Sequence, residues 1–144
     1  MLNCKLLDFR KRSFYIDNLL ISDNLVIFFQ LFDLRWFSLS IGEGVFCIQE
    51  ETQIPEYLSL DNIEDSFAYP IEDLPELDKF KQSILSEVYE YRLKDNLDFC
   101  IGVFLKLDKG NFSVIDNNGS LSIIAGIDDE LLAQCELIPN ASWT

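Results

Sequence analysis

The stretch Leu74–Lys94, LPELDKFKQSILSEVYEYRLK, decides the expected fold class. Asp73 precedes it and Glu76 lies three residues later, in the pattern of a helix-capping box. Pro75 falls in the first turn, where a helix tolerates proline because the N–H groups there have no partners. Large apolar side chains then recur at helical spacing, at Leu77, Phe80, Ile84, Leu85, Val88 and Tyr91. The spacing predicts one long helix from about residue 74 to residue 94.

Residues outside this stretch have the composition of strands. Trp36–Ile41 alternates apolar and polar residues at period two, and Gly42-Glu43-Gly44 permits a reversal into Val45–Gln49. A short C-terminal helix is expected over Leu131–Glu136. The expected fold is therefore α+β, a single domain over residues 1–144. In it, a mostly antiparallel sheet carries the long helix (about 74–94) on one face.

Composition bounds the class of protein. The chain has 144 residues, of which 49% are hydrophobic, and this supplies enough apolar area for a packed core and excludes general disorder. No window of about 20 residues is apolar enough to span a bilayer. The first residues, MLNCKLLDFRKR, lack the sustained apolar core of a secretory signal. The sequence therefore predicts a cytoplasmic protein with no membrane partner.

Catalytic and metal-binding motifs are missing from the sequence. The chain has no histidine, so a Ser–His–Asp or Cys–His arrangement is impossible, and it has no phosphate-binding glycine motif. Its four cysteines form no CxxC pair and are expected to be reduced. Carboxylate pairs such as Glu64-Asp65 are capable of acid–base work, but such pairs arise by chance in so acidic a chain. We therefore expect no enzyme activity, no cofactor and no metal.

Acidic residues are concentrated in one part of the chain. Between Trp36 and Asp78 there are 11 acids and no bases, and the net charge of the whole chain is −14. Prolines interrupt residues 50–73, and this segment is expected to be an acidic, loop-rich region. We call residues 50–73 the acidic segment. It is either a solvated loop or a docking surface for a basic partner, since concentrated charge speeds encounter with an oppositely charged protein.

The candidate partner-binding residues all belong to the acidic segment. Its carboxylates are Glu50, Glu51, Glu56, Asp61, Glu64, Asp65, Glu72 and Asp73. Its aromatic residues, the expected anchors of an interface, are Tyr57, Phe67 and Tyr69. Direct binding of nucleic acid is disfavoured, because the only basic cluster is Arg10-Lys11-Arg12, which is interpreted as a charged turn between two strands.

The chain resembles, in type, the bacterial immunity proteins of contact-dependent inhibition and related polymorphic toxin systems. The residues behind the resemblance are EETQIPEYLSLDNIEDSFAYPIEDLPELD at 50–78, WFSLSIGEGVFCI at 36–48, and the hairpins around LDKGN and IDNNG. The resemblance implies a cognate toxin domain, basic and often a nuclease, held in an inactive complex. Two alternatives stay open: an inhibitor that mimics nucleic acid and binds a host DNA-binding enzyme, and a small-ligand-binding α+β protein.

Overall fold

The computed structural model describes residues 2–140, and within them the chain is almost entirely antiparallel β-sheet. The strands are β1 Cys4–Ile16, β2 Leu19–Leu31, β3 Trp36–Gly42, β4 Val45–Glu50, β5 Phe67–Ala68, β6 Ile71–Asp73, β7 Ser83–Leu93, β8 Asn96–Leu107, β9 Gly110–Asn117, β10 Ser120–Ala125 and β11 Cys135–Pro139. The helical elements among the described residues are three short 3₁₀ turns, at Leu60–Asn62, Pro75–Phe80 and Leu131–Ala133. The predicted α+β class is therefore wrong.

The strands form one sheet that folds back on itself. Their order is β10-β9-β8-β7-β1-β2-β3-β4, with β11 paired to β7 and both β5 and β6 paired to β1. β10 lies against β2, where Asn24 Nδ2 donates to the Leu121 carbonyl at 2.9 Å. β4 lies against β8, where the Cys100 N–H donates to the Gly44 carbonyl at 2.9 Å. These contacts enclose one side of the sheet.

The enclosed side holds the main hydrophobic core. Its members come from β1, β2, β3, β7, β8, β9 and β10, and include Leu6, Phe9, Ile27, Phe29, Leu39, Leu85, Leu105 and Val114. Leu74, Leu77 and Phe80 from the 3₁₀ turn after β6 complete it. Burial of these side chains is the main stabilising term of the fold. A second, smaller cluster contains Tyr91, Phe104, Ile115 and Cys135.

The long helix predicted over residues 74–94 does not form. The capping residues begin a 3₁₀ turn at Pro75–Phe80, and the rest of the stretch is the strand β7. A β-bulge lies between Leu85 and Glu87, and it shifts the alternation so that Leu85 and Val88 are both buried although they lie three positions apart. Ile84 is 38% exposed. The bulge therefore accounts for the helix-like spacing of Leu85 and Val88, whereas Leu77 and Phe80 belong to the 3₁₀ turn and Tyr91 to the second cluster.

The short helix expected over Leu131–Glu136 is also wrong. Only Leu131–Ala133 forms a 3₁₀ turn, and Cys135–Pro139 is the strand β11. β1 pairs with β7 only at Ser83–Leu85, which leaves the same edge of β7 open beyond them. β11 pairs with Tyr89–Leu93 along β7. Backbone groups of a buried strand need partners, so the open length of β7 favours a strand at this position. Within residues 2–140, no helix is long and apolar enough to cross a membrane.

Candidate protein-binding surface

The acidic segment is partly built into the sheet. β5 and β6 pair antiparallel with β1, so that Phe67 lies opposite Ile16, and Asp73 opposite Arg10. Outside these strands, Leu58 forms a two-way backbone bridge with Ile71. The basic cluster Arg10-Lys11-Arg12 is consequently not a turn between strands. It is the centre of β1, and the acidic segment pairs with it.

Side chains alternate between the two sides of β1 and of the paired residues 67–73. Those on the side of β1 opposite the buried Phe9 form a continuous surface. We call this the outer face. Its members share alternate positions in paired strands, and they are Arg10, Arg12, Phe14 and Ile16 from β1 with Asp73, Ile71, Tyr69 and Phe67 from the acidic segment. The residues between them, Ala68 and Pro70, are buried. The sequence FAYPIED therefore follows the period of a strand although a proline interrupts it.

Arg10 holds the acidic segment against the sheet. Its guanidinium lies 4.6 Å from the centroid of the Trp36 ring and 4.0 Å from that of Tyr57. Its Nη1 donates to the carbonyl of Pro55 at 2.7 Å. The Tyr57 hydroxyl donates to Asp73 Oδ1 at 2.5 Å, and this hydrogen bond, with partial burial, raises the pKa of Tyr57. Tyr57, one of the predicted partner-binding residues, thus also contacts the protein's own sheet while it remains 54% exposed.

A groove of about 650 Å³ lies beside this contact on the outer face. Its lining consists of Arg12, Phe28, Ile71 and residues 51–56. The Arg12 guanidinium lies 5.0 Å from the centroid of the Phe28 ring, and it forms no ion pair with any residue in 2–140. The groove therefore presents an unpaired cation above a buried aromatic ring, between the carboxylates of Glu51 and Glu56.

Beyond the groove, the outer face ends in exposed apolar side chains. We call Phe14, Ile16, Leu19, Phe67 and Tyr69 the aromatic patch. The Phe14 ring stacks on Tyr69 at 4.8 Å between centroids and on Phe67 at 6.3 Å. Leu19 is 70% exposed, Phe67 55% and Tyr69 46%. Large apolar side chains clustered in solvent are unusual in a monomer, and such patches commonly bind other proteins.

Carboxylates border the aromatic patch. Asp65 Oδ1 accepts the N–H of Phe67 at 3.1 Å, which fixes that side chain at the start of β5. The Asp17 N–H donates to the Ser66 carbonyl at 2.8 Å, so the β1–β2 turn lies beside the same residues. Glu64 precedes Asp65 in the chain, and all three acids are exposed. The patch thus combines exposed rings with adjacent negative charge.

Most of the predicted carboxylates have no cationic partner. Glu50 pairs with Arg35 Nη1 at 3.1 Å, and Asp73 accepts the Tyr57 hydroxyl. Glu72 lies opposite Lys11 in the strand register, but Lys11 Nζ pairs with Asp23 at 2.7 Å. The rest form no ion pair with the part of the chain that the structure describes: Glu51, Glu56, Asp61, Glu64, Asp65 and Glu72. The negative field expected from the sequence therefore remains largely uncompensated.

The sequence prediction identified part of this surface. Phe67 and Tyr69 are exposed beside each other, but their stacking partner Phe14 and the neighbouring Leu19 were not among the predicted residues. The available signal was the alternation of Arg10, Arg12, Phe14 and Ile16, which is that of a strand with a distinct outer side.

Neither a metal site nor a similarity to a known protein assigns a role to this surface. Among residues 2–140, no group of three or more Cys, Asp and Glu side chains is placed to hold a metal ion. Comparison with known proteins gives no match: no family model, curated protein or solved structure is significantly similar to the chain.

Proposed function

We propose that this chain is an immunity-type binding protein that captures and neutralises a basic toxin domain, such as a nuclease, in the cytoplasm. The observation that carries the proposal is the fixed acidic segment. It is paired to β1 and held by Arg10, yet six of its carboxylates form no ion pair within residues 2–140, and it contributes Phe67 and Tyr69 to an exposed aromatic patch. Charge of this kind speeds encounter with a basic surface, and aromatic side chains supply the anchors that hold it.

A fixed segment suits this task better than a mobile one. Ordering a loop on binding costs conformational entropy, and a segment already held in the bound geometry avoids most of that cost. The contact of Arg10 with Trp36, Tyr57 and Pro55 supplies this order in the unbound protein. Absence of a catalytic role is part of the proposal, because the surface would act by blocking the partner.

The resemblance to immunity proteins implies that a neighbouring gene encodes the toxin, so binding kinetics against the product of the adjacent gene test the proposal. Glu64→Gln with Asp65→Asn should slow association by about three- to ten-fold at low salt, because both carboxylates contribute to the steering field. The same change should flatten the salt dependence of the association rate. Asp129→Asn with Glu130→Gln is the matched control, since this second exposed acidic pair lies outside the acidic segment. Equal rates and equal salt slopes for both double variants would exclude the acidic segment as the capture surface.

The groove at Arg12 favours a second function, binding of a small anionic ligand. An arginine stacked on an aromatic ring is a common partner of carboxylate and phosphate groups, and Arg12 forms no ion pair with residues 2–140. Thermal-shift screening with small carboxylates and phosphates tests it. A stabilisation that Arg12→Gln abolishes would support this function, and no stabilisation by any of them would reject it.

Nucleic-acid mimicry stays a prediction. Capture of a DNA-binding enzyme from the host, in competition with DNA, would favour it over the toxin proposal.

A further inference from the structure

We propose that the aromatic patch binds arginine side chains of the protein partner, each guanidinium lying on a ring and pairing with a bordering carboxylate. This inference rests on the proposed function and adds the chemical class of the group that is recognised. The partner surface that fits the aromatic patch is therefore arginine-rich, not apolar or lysine-rich.

The outer face already holds guanidinium groups over aromatic rings within the chain. Arg10 lies between the Trp36 and Tyr57 rings, with the Asp8 carboxylate 3.8 Å from its Nε. Arg12, two positions further along β1, lies over Phe28. The next outer-face position along β1 is Phe14, stacked on Tyr69, and there the rings face solvent. Aromatic rings thus continue along the outer face beyond the last arginine of β1, at a position where β1 itself supplies a ring and no guanidinium.

Two acidic residues adjoin the rings of the aromatic patch. Asp65 is fixed beside Phe67 by its hydrogen bond to the Phe67 N–H, and Asp17 lies beside Ser66. Neither carboxylate forms an ion pair with any residue in 2–140. A planar guanidinium stacks on a ring with its face and donates to carboxylates with its edge, so the patch satisfies both requirements of an arginine.

Charge and hydration favour arginine over the other occupants. A purely apolar partner surface would leave Asp17, Glu64 and Asp65 beside an unmatched face, and desolvating them without a cation is costly. A lysine ammonium is a compact, strongly hydrated charge without a planar face, whereas a guanidinium is weakly hydrated and stacks readily. Arg12, the last arginine of β1, lies over Phe28.

Peptide binding tests this inference without the natural partner. Hexa-arginine and hexa-lysine carry the same charge, so titration of the full chain with each, at about 0.5 M salt to screen long-range attraction, isolates the contribution of stacking. Hexa-arginine should bind about two- to five-fold more tightly for each guanidinium that stacks on a ring. Amide shifts in the NMR spectrum should concentrate at Phe14, Phe67 and Tyr69.

Variants of the aromatic patch test whether its rings cause the preference for hexa-arginine over hexa-lysine. Phe67→Leu keeps apolar bulk without an aromatic face, so it should reduce the preference for hexa-arginine and leave the affinity for hexa-lysine unchanged, and Tyr69→Ala should do the same. Phe32→Ala is the matched control, because Phe32 is 58% exposed at the β2–β3 turn, outside the patch. Equal affinity for the two peptides, or a preference that survives both patch variants, would overturn the inference. The adjacent gene product would still bind in that case if the proposed function alone is correct.

Discussion

Replacing Arg10 should release the acidic segment from the sheet. The Arg10 side chain is only 14% exposed, and it donates a charged hydrogen bond to the Pro55 carbonyl at 2.7 Å. A hydrogen bond from a charged group contributes about 1.5–3 kcal/mol, and each ring contact adds about 0.5–1 kcal/mol. Because glutamine retains part of the packing and such terms are not additive, Arg10→Gln should lower the free energy of unfolding by about 2–3 kcal/mol.

Urea unfolding measures the total loss of stability in Arg10→Gln, and hydrogen exchange shows which part of the structure loses it. The backbone N–H groups of Leu58 and Ile71 each donate to the other residue's carbonyl, at 3.0 and 3.1 Å, and they report whether the acidic segment stays paired. Their exchange should accelerate in Arg10→Gln more than that of the buried core strands. Arg35→Gln is the control, because this exposed arginine forms surface ion pairs that contribute little to stability. Equal stability of the two variants, with unchanged exchange at Leu58 and Ile71, would refute the role given to Arg10.

Three further predictions concern the strand β7, the cysteine thiols and the Tyr57 hydroxyl. Leu85→Ala should lower the free energy of unfolding by about 2–5 kcal/mol, and Ile84→Ala by no more than about 1 kcal/mol, because Leu85 is buried in β7 and Ile84 is 38% exposed. Equal losses in urea unfolding would contradict the strand assignment. Cys47 should react with a thiol reagent in the native protein, whereas Cys100 should react only after unfolding, since burial raises its pKa to about 12. Modification of native Cys100 as fast as Cys47 would show that the site is open. The raised pKa of Tyr57 means that its protonated phenol stabilises the fold below about pH 10 and that this stability is lost as the pH rises through the raised value. The stability difference between the wild type and Tyr57→Phe should therefore be larger at about pH 8 than at about pH 11, and a constant difference would contradict the hydrogen bond.

Local patterns in the sequence predicted only the local part of the fold. The alternation at Trp36–Ile41 and the glycines after it do produce a hairpin, β3 and β4. The helical spacing after Asp73 was misleading, because a bulged strand and a helix both place buried residues three positions apart. A bulge depends on the register with the neighbouring strand, and that register is set by residues far away in the chain.

The candidate surface shows the same limit. The composition of the acidic segment marked Phe67 and Tyr69 as exposed aromatic residues, and they are exposed. Tyr57 is exposed as well, at 54%, but its ring contacts the Arg10 guanidinium, whereas Phe67 and Tyr69 stack on Phe14. The difference lies in the pairing of residues 67–73 with β1, which no short-range pattern predicts. Charge complementarity between the acidic segment and Arg10-Lys11-Arg12 was the one signal that joined the two regions.

The edge of β1 that β5, β6 and β7 share has a consequence for folding during synthesis on the ribosome. β1 pairs with β2 across a tight turn, a contact that forms within microseconds once both strands have emerged. The other edge of β1 stays unpaired until residues 67–85 are synthesised, because β5, β6 and β7 each pair with part of it. Until then, the nascent chain carries an open strand edge able to pair with another chain. The acidic residues emerge first from this distant region, and their attraction to the basic centre of β1 makes them the first available partner for that edge.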